Sequence, residues 1–75
     1  MDRQEQLKNN IEETEQEIKG FELVIQGLDK IKETTKNQEA KIELKELINN
    51  FNNNIKFLED IKQSDEDYLN KNGLV

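Results

Sequence analysis

The chain contains no cysteine, histidine, proline or tryptophan, and these absences exclude several kinds of structure and chemistry. Without cysteine there is no disulfide and no thiolate zinc site, and without histidine there is no imidazole metal site. The lack of proline removes the strongest breaker of helices. We therefore expect a fold held by noncovalent packing alone, with no metal and no cofactor. The lack of cysteine also fits a reducing cytoplasm.

Long apolar runs are missing as well. No run approaches the roughly 20 apolar residues that a membrane-spanning helix needs. The N-terminal residues 1–5 are polar, unlike a secretory signal, so we expect a cytoplasmic protein without a membrane partner. The net charge is -6, with ten lysines and one arginine interleaved with acids. Because duplex binding requires clustered basic residues, the sequence predicts no direct contact with nucleic acid.

Apolar residues recur at alternating four- and three-residue steps in two segments, a spacing typical of coiled-coil helices. The pattern predicts an all-α chain with two inward rows. The first row is Leu7, Ile11, Thr14, Ile18, Phe21, Ile25 and Leu28. The second row is read as Leu44, Leu47, Phe51, Asn54, Leu58, Ile61, Asp65 and Tyr68.

A break between the two rows is predicted near residue 36. Thr35 with Gln38 fits a capping box, and Asn37 is a competing N-cap. We predict one domain over 1–75, with a helix at about 3–33, a turn at about 34–38 and a helix at about 38–63. One unbroken helix and a break elsewhere are the alternatives. Ser64 followed by three acids predicts either a short third helix at 65–71 or a continuation, before a frayed tail at 72–75.

The two rows match if the chain folds into an antiparallel hairpin whose facing residue numbers add to 72. Phe21 then faces Phe51, and Asn54 faces Ile18. A single polar residue in such a row often fixes register or oligomeric state, which makes Asn54 a candidate for setting register. In the alternative interpretation, Ile55 takes the inward place and Asn54 turns to solvent.

Apolar residues beside the two rows predict an additional surface for self-association or for another protein. Two helices leave their apolar sides half open, and pairing two hairpins into a four-helix bundle would cover them. We therefore expect a homodimer, unless this flank is reserved for a different partner. The predicted interface residues are Gly20, Val24, Gly27, Ile31, Ile48 and Ile55.

Acidic residues gather toward both chain ends. Residues 1–19 carry three basic and six acidic residues, and residues 57–75 carry two basic and five acidic ones, so each segment has a net charge of -3. A hairpin places both segments at its open end. This end is interpreted either as a surface for a basic partner or as a solvated face. Its predicted residues are Glu12, Glu13, Glu15, Glu17, Glu59 and Asp60.

Residues 43–51 carry a resemblance to a known family. The stretch Glu-Leu-Lys-Glu-Leu-Ile-Asn-Asn-Phe resembles the second helix of the small sporulation-regulator phosphatases of Bacillus relatives. Their motif, Ser-Gln-Glu-Leu-Asp, is followed by Leu-Ile and an aromatic residue. The resemblance implies a helical hairpin that removes phosphate from response regulators. Here Lys41, Ile42 and Lys45 occupy the Ser, Gln and Asp positions.

These observations predict a non-enzymatic protein–protein interaction module. A small assembly factor, scaffold or chaperone of bacterial or phage origin fits best. One alternative is an inhibitor or antitoxin-like regulator whose acidic end blocks a basic site of its partner. A second alternative is a response-regulator phosphatase-like hairpin. No catalytic residues are predicted, because exposed carboxylates on a narrow hairpin lack the pocket that acid–base catalysis requires.

Overall fold

The computed structural model describes residues 2–71, which form two long helices joined by a three-residue connection. Helix α1 spans Arg3–Thr34 and helix α2 spans Gln38–Lys71. The helices pack against each other as a hairpin with extents of 54 × 16 × 15 Å. No strand occurs within residues 2–71. The predicted all-α hairpin is therefore confirmed, and the single unbroken helix is excluded.

The first helix has a defined start and end. Asp2 is its N-cap, and the Glu5 N–H donates to Asp2 Oδ1 at 2.8 Å. This bond satisfies one of the amide groups that a helix leaves unpaired in its first turn. At the other end, Thr35 adopts an extended backbone with φ -74° and ψ 141°. Its N–H still donates to the Ile31 carbonyl at 2.9 Å, so the chain leaves α1 immediately after a closed turn.

Asn37 caps the start of α2. The Ala40 N–H donates to Asn37 Oδ1 at 3.2 Å, which is the bond an N-cap side chain makes. Thr35 instead accepts a 3.3 Å hydrogen bond from the Asn37 N–H through its hydroxyl oxygen. The predicted turn is in the right place, and of its two candidate caps Asn37 is the one in use.

The second helix runs without interruption to Lys71. The third helix predicted at 65–71 is therefore wrong, and the alternative of a continuous helix is what the structure shows. Side-chain bonds one turn apart bridge the segment: Gln63 Nε2 donates to Asp67 Oδ1 at 2.9 Å, and Lys62 Nζ lies 3.8 Å from Glu66 Oε1. Such pairs stabilise a helix. The predicted tail at 72–75 lies outside the described residues.

The inward row of α1 is the predicted one. Thr14 and Ile18 are buried, and the other five members are half-buried. The Phe21 and Phe51 rings meet with centroids 5.5 Å apart and planes tilted by 41°, as a facing pair should. The Thr14 hydroxyl donates to the Asn10 carbonyl at 2.8 Å, which satisfies it inside the packed row.

The inward row of α2 differs from the prediction at every second position. Ile48, Ile55 and Leu69 are buried, whereas the predicted Leu47, Asn54, Ile61 and Tyr68 are exposed. The two interpretations share Leu44, Phe51, Leu58 and Asp65, so they differ by a small rotation of α2. The observed rotation buries two isoleucines and avoids burying an amide that would lack a partner.

Asn54 consequently lies outside the contact between the helices. The prediction that it faces Ile18 is wrong, and an exposed Asn54 cannot set the register of α1 against α2. The polar residues that do enter the inward rows are Thr14, Lys62 and Asp65. All three lie in the open half of the hairpin, so the turn half has the more continuous apolar core.

Candidate functional site

The two sides of the hairpin differ, and the contact between Arg3 and Tyr68 identifies which residues lie on one of them. The Arg3 guanidinium carbon lies 5.0 Å from the centroid of the Tyr68 ring. Because the inward rows keep a seven-residue repeat, residues seven apart on either helix follow one side. At seven-residue steps, Arg3 shares its row with Val24 and Ile31, and Tyr68 shares its row with Ile61 and Leu47. Both rows therefore border the same side.

This side exposes several large apolar residues along the middle of the hairpin, with Glu17 and Asn54 in the same two rows. Val24 is 46%, Ile31 53%, Leu47 43%, Ile61 38% and Phe57 65% exposed. Exposed large apolar side chains that adjoin one another mark interaction sites more often than scattered ones do. We call this surface the apolar face. It consists of Gly20, Val24, Gly27 and Ile31 on α1 with Leu47, Phe57 and Ile61 on α2.

Four of the six predicted interface residues lie on the apolar face, namely Gly20, Val24, Gly27 and Ile31. Ile48 and Ile55 do not: only 8% and 9% of their surfaces remain exposed, because they pack between the two helices. The sequence interpretation exchanged them with Leu47 and Ile61. It also missed Phe57, whose exposure follows from its place beside the row of Leu47 and Ile61.

The two glycines of the apolar face are not required by packing within the hairpin. A Cβ added at Gly20 or at Gly27 would meet no atom within 4 Å. Glycine inside a helix destabilises it by roughly 0.5–1 kcal/mol relative to alanine. The hairpin alone therefore offers no reason for either glycine.

The opposite side carries a charged groove between the helices. Lys62 Nζ lies 3.3 Å from Glu15 Oε1 and thereby links α2 to α1 across the groove. The lining includes five carboxylates and two ammonium groups, a net charge of -3. We call it the acidic groove. Its charged residues are Glu12, Glu15, Lys19, Glu22, Glu59, Lys62 and Glu66.

The predicted acidic end is thus only partly assembled into one site. Glu12, Glu15 and Glu59 line the acidic groove. Glu17 instead lies beside Gly20 and Val24, on the side of the apolar face, and Glu13 and Asp60 are exposed outside the groove. Glu22 and Glu66 were missed, although each lies seven residues from a predicted member, Glu15 and Glu59, so the seven-residue repeat was the signal that could have found them. Within residues 2–71, no group of acidic residues is arranged to hold a metal ion.

Over residues 2–71, neither helix has a stretch apolar enough to cross a bilayer. Comparison of the chain with protein-family models, with curated proteins and with solved structures finds no match. The functional argument therefore depends on the two faces of the hairpin.

Proposed function

We propose that the protein is a non-enzymatic interaction module, such as a small scaffold or assembly factor, that binds protein through its apolar face. The observation that carries the proposal is the separation of the two sides. Val24, Ile31 and Leu47 are exposed together on one side, while the ion-paired carboxylates lie on the other. An amphipathic partner surface can cover the first side without burying a charge of the second.

The proposal includes self-association into a homodimer that forms a four-helix bundle. Within residues 2–71, the buried hydrophobic side chains are Ile18, Ile48, Ile55 and Leu69, a small core for two helices of 32 and 34 residues. Small cores gain stability when a second subunit covers their open side. A second hairpin placed on the apolar face supplies that cover.

The test compares a double variant on the apolar face with a double variant elsewhere that removes more exposed apolar surface. Val24→Gln with Leu47→Gln alters the apolar face. Leu23→Gln with Ile42→Gln is the matched control, because these side chains are 65% and 59% exposed but lie outside that face. Association is measured by sedimentation, and partner binding by co-purification from the native host. We expect the face variant to lose association and the control to keep it. Equal behaviour of the two variants would refute the proposal.

A second candidate function is an inhibitor that places its acidic groove on a basic site of another protein. The observation in its favour is that the fold brings Glu12, Glu15 and Glu59 from both helices into one groove. Opposite charge steers association and is screened by salt. Replacing these three residues by Gln is expected to weaken partner binding and its salt dependence. Replacing the exposed Glu39 and Glu46 by Gln is the control, since neither lines the groove.

A further inference from the structure

The α1 half of the apolar face is complementary to itself. Gly20, Val24, Gly27 and Ile31 follow one another at steps of four, three and four residues along one side of the helix. The order is small, large, small, large. If the same stripe of a second copy runs antiparallel, with facing numbers that add to 51, Ile31 faces Gly20 and Val24 faces Gly27. Each branched side chain then meets a position without a side chain, which allows close approach of the two helices.

The charge distribution selects the direction of such a pair. Residues 20–56, around the turn, carry six lysines and six acids and are neutral, whereas the two end segments carry the whole charge of -6. Hairpins paired in the same direction would bring both acidic ends together. Antiparallel hairpins that overlap across their turn halves place these ends at opposite extremes of the pair, in which each hairpin is 54 Å long. That separation greatly exceeds the screening length of about 8 Å in physiological salt.

The area available in this arrangement is sufficient for a specific contact. The overlap extends from one turn to the other and is about 32 Å long. With the 16 Å width of the hairpin, it covers roughly 500 Å² on each copy, or roughly 1,000 Å² in total, the lower bound for a specific interface. We therefore expect a weak, reversible dimer.

We propose that a second copy of this chain covers the turn half of the apolar face in this one arrangement. The hairpins are antiparallel, α1 stacks on α1 with Ile31 against Gly20 and Val24 against Gly27, and the acidic arms project at opposite ends. The inference rests on the proposed function and deepens it by naming the partner and its register. Within one hairpin Phe21 faces Phe51, so the numbers of facing residues add to 72. The two-fold axis crosses α1 between residues 25 and 26. It therefore passes beside Leu47 on α2, which meets Leu47 of the second copy.

Engineered cysteines test the register directly, since the chain has no cysteine of its own. Leu47→Cys is expected to form a disulfide-linked dimer under mild oxidation, because the two Leu47 positions meet at the axis. Ile61→Cys is the control: it lies in the same row with similar exposure, 38% against 43%, but in the projecting arm. It is expected to remain unlinked. A disulfide requires Cα atoms within roughly 7 Å of each other, so the readout is local.

Gly27→Leu provides a second readout that does not depend on disulfide chemistry. A side chain at this position has open space within the hairpin, so the monomer keeps its helicity and thermal stability. In the pair, the added side chain collides with Val24 of the second copy. We expect self-association to weaken at least tenfold. Gln26→Leu, at the neighbouring exposed position outside the apolar face, is expected to leave it unchanged.

Three results would overturn the inference in different ways. A disulfide between Val24→Cys and Leu47→Cys chains, without self-linking of Leu47→Cys, indicates hairpins paired in the same direction. A chain that stays monomeric while Val24→Gln with Leu47→Gln abolishes binding to another protein indicates a different partner. In both cases the apolar face still binds protein and the proposed arrangement fails, and in the second case the homodimer fails with it. If neither self-association nor partner binding responds to the apolar face, the proposed function fails as well.

Discussion

Thr14 shows how one side chain can be tolerated inside the contact between the helices without being the best residue for it. It is 8% exposed, and its hydroxyl shares the Asn10 carbonyl with the helical backbone. Removing the hydroxyl therefore leaves no backbone group without a partner.

Thr14→Val is expected to raise the free energy of unfolding by about 1 kcal/mol, because a methyl group replaces a buried hydroxyl. Thr34→Val is the control. The Thr34 hydroxyl makes the same kind of backbone bond but is exposed, so little change is expected. Urea denaturation of both variants at one protein concentration is the measurement. A loss of stability in Thr14→Val would mean that its hydroxyl bond outweighs the burial.

Lys62 places an ammonium group in the inward row, where its side chain is 31% exposed. Its partners Glu15 and Glu66 are 52% and 40% exposed, so the two ion pairs are largely solvated and of small value. Lys62→Leu is expected to gain about 1 kcal/mol of stability by extending the apolar row. Lys62→Gln, which removes the charge without adding apolar surface, should lose up to about 1 kcal/mol. Thermal melting of both variants tests this. Destabilisation by Leu would show that the ion pairs dominate.

At the scale of the helices, the connection at residues 35–37 depends on one cap. Asn37→Ala removes the bond from the Ala40 N–H and is expected to destabilise the hairpin by about 1 kcal/mol. Asn53→Ala is the matched control, because Asn53 is exposed in the middle of α2. There alanine is the better helix former and should stabilise by about 0.5 kcal/mol. Opposite signs in thermal melts would confirm the cap, and two gains would contradict it.

The helices also show how far sequence patterns reach. Both helix starts, the turn and the inward row of α1 follow from spacing and capping residues, because these signals are local. The rotation of α2 does not, since either rotation places three largely apolar residues and one polar residue inward: Leu47, Ile61 and Tyr68 with Asn54, or Ile48, Ile55 and Leu69 with Lys62. The sequence prediction required the numbers of facing residues to add to one constant, and this requirement placed Asn54 in the inward row of α2. Burying the Asn54 amide without a hydrogen-bond partner would cost free energy, and this cost favours Ile55 at the inward position.

The candidate sites inherited the same error. On α1, Gly20, Val24, Gly27 and Ile31 share one side, as their spacing predicts, whereas Glu13 and Glu17 do not line the groove with Glu12 and Glu15. On α2, the predicted flank of Ile48 and Ile55 is the core, and the predicted core positions Leu47 and Ile61 belong to the apolar face.

At the scale of the whole molecule, the two halves of the hairpin differ in the residues of their inward rows. The inward rows are apolar near the turn, whereas Thr14, Lys62 and Asp65 interrupt them toward the open end. Local opening is easiest where few apolar contacts are lost. Amides of 5–12 and 62–69 are therefore expected to exchange with solvent faster than those of 20–30 and 44–56. Hydrogen exchange followed by NMR measures this gradient, and uniform protection would contradict it.

The contact between Arg3 and Tyr68 gives the chain a built-in optical reporter. Tyr68 is the only tyrosine and there is no tryptophan, so ultraviolet emission excited at the tyrosine band comes from this single ring. The ring lies against the opposite helix at the open end, where the Arg3 guanidinium carbon is 5.0 Å from its centroid. A change in emission that precedes the loss of circular dichroism would therefore signal unzipping from that end, without any attached dye.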